Sequence, residues 1–225
     1  TNISIAPTLL WSASSGQTDY EYCYDTAASG VCSGTWTSTS NTTSATLSGL
    51  SYNTTYRWQA RAVFAGLYTY ADGGVLWTFT TSTHVPTVET DPATTVTTDS
   101  ATLNGMVNAW NDNTTVTFEY GLTTAYGTTV TAAESPVSGS SDTAVTYNLG
   151  GLLPDTTYHY RAVGQNSAGS IQGSDLTFTT DARNVVIATE IHNAAHGVIT
   201  SAALGDSLHA SATVTGNGSM AATGT

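Results

Sequence analysis

The chain has 225 residues, of which 40% are hydrophobic and only 9% are charged. Its formal net charge is −12, with four basic residues and no lysine, which disfavours binding to nucleic acid or anionic lipid because clustered Arg and Lys bind phosphate groups. No apolar run approaches the roughly 20 residues that a membrane-spanning helix needs, and the lack of a signal peptide and an initiator Met leads us to expect a mature chain or a fragment of one.

The composition also indicates a location and a number of domains. Threonine is frequent, and its β-branched side chain suits exposed strand positions. A surface solvated by hydroxyl groups rather than by charges favours an extracellular or cell-surface protein. The length suits two small domains, or two and a part of a third. Without lysine, Lys–Asn isopeptide crosslinks within the chain are excluded.

The first predicted unit, residues 1–82, consists of short strands with period-two alternation, broken at Gly, Asn, Asp and Pro. Its alternating apolar residues are Leu9, Trp11, Tyr20, Tyr22, Tyr24, Ala45, Leu47, Leu50, Tyr56, Trp58, Ala60, Ala62, Trp77 and Phe79. Ahead of them, residues 1–7 form a short alternating segment that contains Ile3 and Ile5. Because no segment of the chain shows helical periodicity with caps, the pattern predicts an all-β fold.

Two cysteines, Cys23 and Cys32, lie nine residues apart around a Gly-containing turn. An even, sparse count with local spacing predicts a hairpin disulfide and an oxidising compartment. The alternative is a pair of free thiols in a cytosolic protein. A zinc site lacks support because no other Cys and no nearby His would complete a ligand set. Trp36, which follows, is a candidate interface residue or a cover for the disulfide.

A second predicted unit, residues 85–181, repeats the first about 100 residues later, a period that indicates tandem domains rather than a solenoid. The repeated elements are Gly49-Leu50-Ser51-Tyr52-Asn53-Thr54-Thr55-Tyr56 and Gly151-Leu152-Leu153-Pro154-Asp155-Thr156-Thr157-Tyr158. Each unit then ends in a matching strand, Trp77–Thr81 or Leu176–Thr180. About seven short strands in a unit of this length predict an Ig-like β-sandwich.

The repeated Leu-x-x-x-Thr-x-Tyr element resembles the corner of fibronectin type III domains in bacterial extracellular and surface proteins. The resemblance implies that the hydroxyls of Tyr56 and Tyr158 bond to backbone near Leu50 and Leu152. It also places Trp11 where that family keeps a core tryptophan. The second unit has Gly105 at that place, so we expect Phe118 and Tyr160 to fill its core.

Residues 184–225 alternate again and predict further strands. The stretch from Ile191 to Gly216 resembles the opening of a bacterial Ig-like surface repeat. About 40 residues are too few for a complete sandwich, so we expect missing sequence or a neighbouring subunit to complete a partial domain.

Catalytic and metal-binding motifs are absent from the sequence, and we expect neither enzymatic activity nor a cofactor. The acidic residues are scattered rather than paired on a recognisable element, which gives no support for a glycosidase. His192 and His196 lie on a predicted strand, where residues four apart are roughly 13 Å apart and too distant to share one ion.

Trp110, in the polar loop 108–113, is the strongest candidate for an interface, because exposed aromatic residues stack on sugars or anchor protein partners. Candidate N-glycosylation sites begin at Asn2, Asn41, Asn53, Asn113 and Asn217. In a Thr-rich chain many such motifs arise by chance.

We expect a non-enzymatic, extracellular structural protein: a subunit or segment of a bacterial surface filament, sheath or adhesive stalk. Its partners would be copies of itself, other surface proteins or polysaccharide. Head-to-tail polymerisation would use the segment with Ile3 and Ile5 as an added strand on a neighbour's sheet. The alternative is an accessory spacer or carbohydrate-binding region of a secreted polysaccharide-degrading enzyme.

Overall fold

The computed structural model describes residues 2–27, 31–193, 195, 198–201 and 208–216. These residues are organised almost entirely in β-strands, with a short 3-10 turn at Ala71–Gly74. Most neighbouring strands pair in antiparallel fashion, as alternating sequences with short loops favour. The predicted all-β sandwich class is confirmed.

The first half of the chain forms two sheets that face a shared hydrophobic cluster. Its strands are β1 (Asn2–Ile3), β2 (Thr8–Leu10), β3 (Asp19–Asp25), β4 (Thr37–Ser38), β5 (Ser44–Thr46), β6 (Thr55–Phe64), β7 (Leu67–Tyr70) and β8 (Trp77–Thr81). The larger sheet has the order β1-β8-β6-β3-β4, with β7 also paired to β6, and the smaller one pairs β2 with β5. Buried Leu9, Leu47, Leu50 and Tyr56 form the centre of the cluster.

The N-terminal segment pairs within its own chain. Strand β1 runs parallel to β8, with Asn2 opposite Thr80 and Ile3 opposite Thr81, and Ile5 packs against the hydrophobic cluster. Within the chain, the segment that contains Ile3 and Ile5 is thus an edge strand that is paired with β8 on one side.

The second half repeats this arrangement with longer strands. They are β9 (Thr87–Thr94), β10 (Ser100–Asn108), β11 (Thr115–Gly121), β12 (Thr128–Thr131), β13 (Thr143–Gly150), β14 (Thr157–Asn166), β15 (Gly169–Gln172) and β16 (Leu176–Thr179). One sheet has the order β13-β10-β9, and the other has the order β12-β11-β14-β15, with β16 also paired to β14. Strand β9 pairs with β10, whereas the last strand of this half, β16, belongs to the other sheet. In the first half, by contrast, β1 pairs with the last strand, β8.

Gly105 explains how the second core tolerates the loss of a tryptophan. A Cβ at this position would lie 2.8 Å from the carbonyl oxygen of Glu89 and 3.2 Å from the Cβ of Ala162, so the two sheets approach closely here. Phe118 and Tyr160 are fully buried beside this contact, as expected. The Tyr160 hydroxyl donates to the carbonyl oxygen of Asp91 over 2.6 Å, and burial raises the pKa of Tyr160 to about 12.

Beyond residue 181, strands β17 (Val185–Asn193) and β18 (Leu208–Gly216) form an antiparallel hairpin in which Val185 lies opposite Gly216. This matches the alternation predicted for the C-terminal stretch. Residues 217–225, and with them the candidate glycosylation site at Asn217, lie outside the described residues, as does His196.

Candidate interaction surfaces

The predicted disulfide is present and fixes a loop onto the outer face of the first unit's larger sheet. Cys23, on β3, is bonded to Cys32, and both are buried. Next to the bridge, Asp25 accepts hydrogen bonds from the Ser33 amide and hydroxyl and pairs with Arg57 at 3.1 Å. Burial opposes ionisation, but these donors outweigh it and lower the pKa of Asp25 to about 2.

The two tyrosine corners have matching geometry. The Ser51 amide donates to the hydroxyl oxygen of Tyr56, and the Leu153 amide donates to that of Tyr158, each over 3.0 Å. In both corners the bonded amide belongs to the residue immediately after the repeated leucine, Leu50 or Leu152. The hydroxyls thus hold the turn that leads into β6 or β14.

Each corner also contains a buried threonine that sequence reasoning missed. Thr81 donates to the carbonyl oxygen of Ser51 over 2.7 Å and accepts from the Thr54 amide. Thr180 makes the equivalent bonds with Leu153, at 2.6 Å, and with the Thr156 amide. The repeated Phe-Thr-Thr sequence that ends both units is the pattern from which these two threonines could have been identified.

Trp110 lies at a junction between the two halves of the chain. Its ring centroid is 5.7 Å from that of Tyr52, in an edge-to-face arrangement, and 5.4 Å from that of His84. The rings of Tyr52 and His84 are 4.5 Å apart. The candidate interface residue therefore contacts the chain's own first half and the linker, and we refer to Tyr52, His84 and Trp110 as the junction triad.

Asparagine side chains bond the two halves directly across this junction. The Asn53 side-chain amide donates to the carbonyl oxygen of Asn111 over 2.7 Å. In return, the Asn111 side-chain amide donates to the carbonyl oxygen of Tyr52 over 3.2 Å and to the Thr54 hydroxyl over 3.3 Å. The Asn166 amide holds the linker by donating to the carbonyl oxygen of His84 over 2.7 Å.

Trp36 belongs to a cluster of aromatic rings around Arg61 on the same sheet face as the disulfide. The guanidinium carbon of Arg61 lies 4.0 Å from the ring centroid of Trp36, 3.7 Å from that of Tyr68 and 6.0 Å from that of Tyr70. Trp36 and Tyr70 also meet edge to face at 5.8 Å. The Arg61 Nε donates to Glu21 over 2.7 Å. We call Trp36, Arg61, Tyr68 and Tyr70 the Arg61 platform.

A related cluster occupies the corresponding sheet of the second unit. Arg161 on β14 pairs with Glu119 on β11 at 2.8 Å, and its guanidinium carbon lies 4.7 Å from the ring centroid of Tyr126. The Tyr126 hydroxyl donates to Asp175 over 2.9 Å, and the His159 ring bonds to the other oxygen of Asp175. Burial opposes ionisation of Asp175, but His159 and Tyr126 outweigh it and lower the pKa of this carboxyl.

The candidate glycosylation sites differ in their availability. Asn53 lies at the junction, where its side-chain amide donates to the carbonyl oxygen of Asn111. Asn41 and Asn113 are exposed, and the side chain of Asn2 lies outside the described residues.

The described ranges contain no group of His, Cys, Asp or Glu side chains arranged to hold a metal ion. Within the same ranges, no helix is long and apolar enough to cross a membrane.

No protein-family profile and no curated protein sequence match the chain. Among solved structures, it is similar to the sensor domain of the anti-sigma factor RsgI4 from Pseudobacteroides cellulosolvens, with a TM-score of 0.32 and 20% identity, over 43% of this chain and 95% of that chain. A longer version of the same sensor domain gives a TM-score of 0.29 and 22% identity, over 43% of this chain and 90% of that chain. Similarity at this level carries no inference about function.

Proposed function

We propose that the chain is a non-enzymatic, extracellular structural protein, a stiff segment of a bacterial surface stalk, sheath or filament. It consists of two fibronectin type III-like sandwiches, residues 1–82 and 85–181, followed by part of a third β domain at 184–225. The junction between the sandwiches is the observation that carries this proposal, because a stalk must resist bending where its domains meet.

The junction contains the kinds of contact that restrict domain motion. The rings of the junction triad pack on one another, and edge-to-face aromatic pairs stabilise by about 0.5–1.5 kcal/mol beyond their buried area. The bonds between Asn53 and the Asn111 backbone, and between the Asn111 side chain and the first unit, add directional restraint. The connection between the sandwiches is short, and buried Pro86 at the start of the second one leaves few torsions free there.

An extracellular location is supported by two properties of the chain. The Cys23–Cys32 disulfide persists in oxidising compartments and is rare in cytosolic proteins. The surface also relies on hydroxyl groups in a chain with only 9% charged residues.

Residual dipolar couplings of the backbone amides measure the proposed stiffness directly. In the intact chain, we expect the couplings of residues 2–82 and 87–180 to fit a single alignment tensor. Trp110→Ala removes one ring of the triad, so the two sets should then require tensors of different magnitude. Trp36→Ala, which removes a tryptophan distant from the junction, is the matched control. Two different tensors in the unmodified chain would contradict the proposal.

A further inference from the structure

We infer that the Arg61 platform binds a neutral polysaccharide, and that the Arg161 cluster provides a second, weaker contact for the same polymer. This goes beyond a structural role, since it gives the protein a ligand.

The platform presents aromatic surface together with hydrogen-bonding groups. Tyr68 retains 50% and Tyr70 retains 41% of its accessible surface, although both rings contact their neighbours. A pyranose ring offers C–H groups that pack on aromatic faces and hydroxyls that bond to guanidinium and carboxylate groups. The exposed rings of Tyr68 and Tyr70 each carry a hydroxyl that can bond to a sugar, and the largely buried Arg61–Glu21 pair holds these rings in place.

The platform is held in place before any ligand arrives. Trp36 follows the loop that the Cys23–Cys32 bridge ties to β3. Gly34 lies against the backbone of β3, where an added Cβ would collide with the carbonyl oxygen of Tyr24. Because the rings are fixed by the disulfide and by Arg61, little side-chain entropy remains to be lost on binding.

The charges of the platform select a neutral ligand. Glu21 balances Arg61, and in the described part of the chain Arg57 and Arg161 are each paired with a carboxylate as well. The chain as a whole carries a formal charge of −12. An acidic polysaccharide would therefore meet repulsion with no unbalanced cluster of cations to offset it.

The repetition of the cluster favours a repeating ligand. Glu21 lies opposite Arg61 in the pairing of β3 with β6, and Glu119 lies opposite Arg161 in the pairing of β11 with β14. An aromatic ring contacts the guanidinium in both units. Each cluster would take the same repeating sugar unit, and two such contacts on one polymer would add avidity that a single small sugar lacks.

Affinity electrophoresis of the full chain through gels containing a soluble polysaccharide tests this inference. We expect retardation by at least one neutral polymer among hydroxyethyl cellulose, xyloglucan and galactomannan, and none by alginate or polygalacturonate. Tyr68→Ala should weaken the apparent Kd about tenfold, equivalent to about 1.4 kcal/mol, whereas Tyr68→Trp should restore binding. Tyr126→Ala should weaken binding to the polymer but not to its short oligosaccharides.

Leu67→Ala is the matched control, because Leu67 is the adjacent exposed residue of β7 and its side chain points to the opposite face. It should bind as the unmodified chain does. Thermal unfolding and the mass of the disulfide-linked peptide establish that each variant is folded. Failure of every neutral polymer to retard the folded protein would overturn the inference, as would retardation by the acidic polymers or equal binding by Tyr68→Ala. A protein partner at the platform would then be the remaining interpretation, and the stiffness of the junction would be unaffected.

Discussion

At the scale of single residues, hydroxyl groups rather than charged groups make the side-chain hydrogen bonds that hold the two corners. In each corner a tyrosine accepts from a backbone amide while a buried threonine both donates and accepts. These bonds satisfy backbone groups where the chain turns into β6 and β14, and leaving such groups unpaired in a buried site is costly. A chain with 9% charged residues can therefore still hold its turns rigidly.

Tyr158→Phe tests the corner at this scale. The substitution keeps the ring and removes the hydroxyl that accepts from the Leu153 amide, so the amide loses its partner. We expect the free energy of unfolding of the second unit to fall by about 1–3 kcal/mol, measured by denaturant melts with NMR signals of that unit. Tyr68→Phe, on an exposed tyrosine, should have little effect. Equal midpoints for Tyr158→Phe and the unmodified chain would show that the bond does not stabilise the corner.

At the scale of elements, alternation and turn residues predicted most of the long strands, but not the strands β4, β7, β9, β12 and β15 or all of the strand partners. The runs that became β6 and β14 are long, apolar on one face and bounded by turn residues, which is strong local information. Strand β1 has only Asn2 and Ile3 in its pairing, too little to specify a partner by pattern. Its partner, β8, and the packing of the following Ile5 are tertiary contacts that the local sequence does not encode.

The Arg61 and Arg161 clusters show a similar limit. Each arginine is visible in the sequence, but its glutamate partner lies about 40 residues away and is brought opposite it by strand register. The rings that cover Arg61 come from β7 and from the loop beyond Cys32, so neither spacing nor composition could have grouped them.

Removing the disulfide tests how the loop contributes at the scale of elements. In the paired variant Cys23→Ser/Cys32→Ser, the loop is no longer closed, and the chain-entropy argument gives a loss of about 2–3 kcal/mol for a loop this short. We expect the first unit to unfold at lower denaturant while the second is unchanged. Trp36 should also become more mobile, which the relaxation of its indole NH would report. An unaltered midpoint for the first unit would mean that Asp25 and its partners hold the loop without the bridge.

At the scale of the whole molecule, the loops at the facing ends of the two units have become an interface. Trp110 was identifiable in the sequence as an aromatic residue in a polar loop, but its partners were not, because contacts between units depend on their relative orientation. Tyr52 and Asn53 lie inside the repeated corner element, so one short segment both shapes the first unit and contacts the second. The corner of the first unit thus holds a turn in its own unit and also contributes to the contact with the second unit.

Asn111→Gly tests the hydrogen bonds between the two units without changing the fold of either unit. Asn111 has a φ of 60°, a conformation that glycine adopts readily, so the substitution removes the side-chain bonds to Tyr52 and Thr54 with little backbone strain. We expect faster amide hydrogen exchange in residues 52–54 and in the linker at 83–86, while the amides of β11 and β14 keep their protection. Asn41→Gly is the matched control, since Asn41 has a φ of 70° and lies on the exposed surface away from the junction. If both variants changed exchange at the junction equally, or neither did, the Asn111 amide would not couple the two units, and stiffness would have to come from the aromatic triad alone.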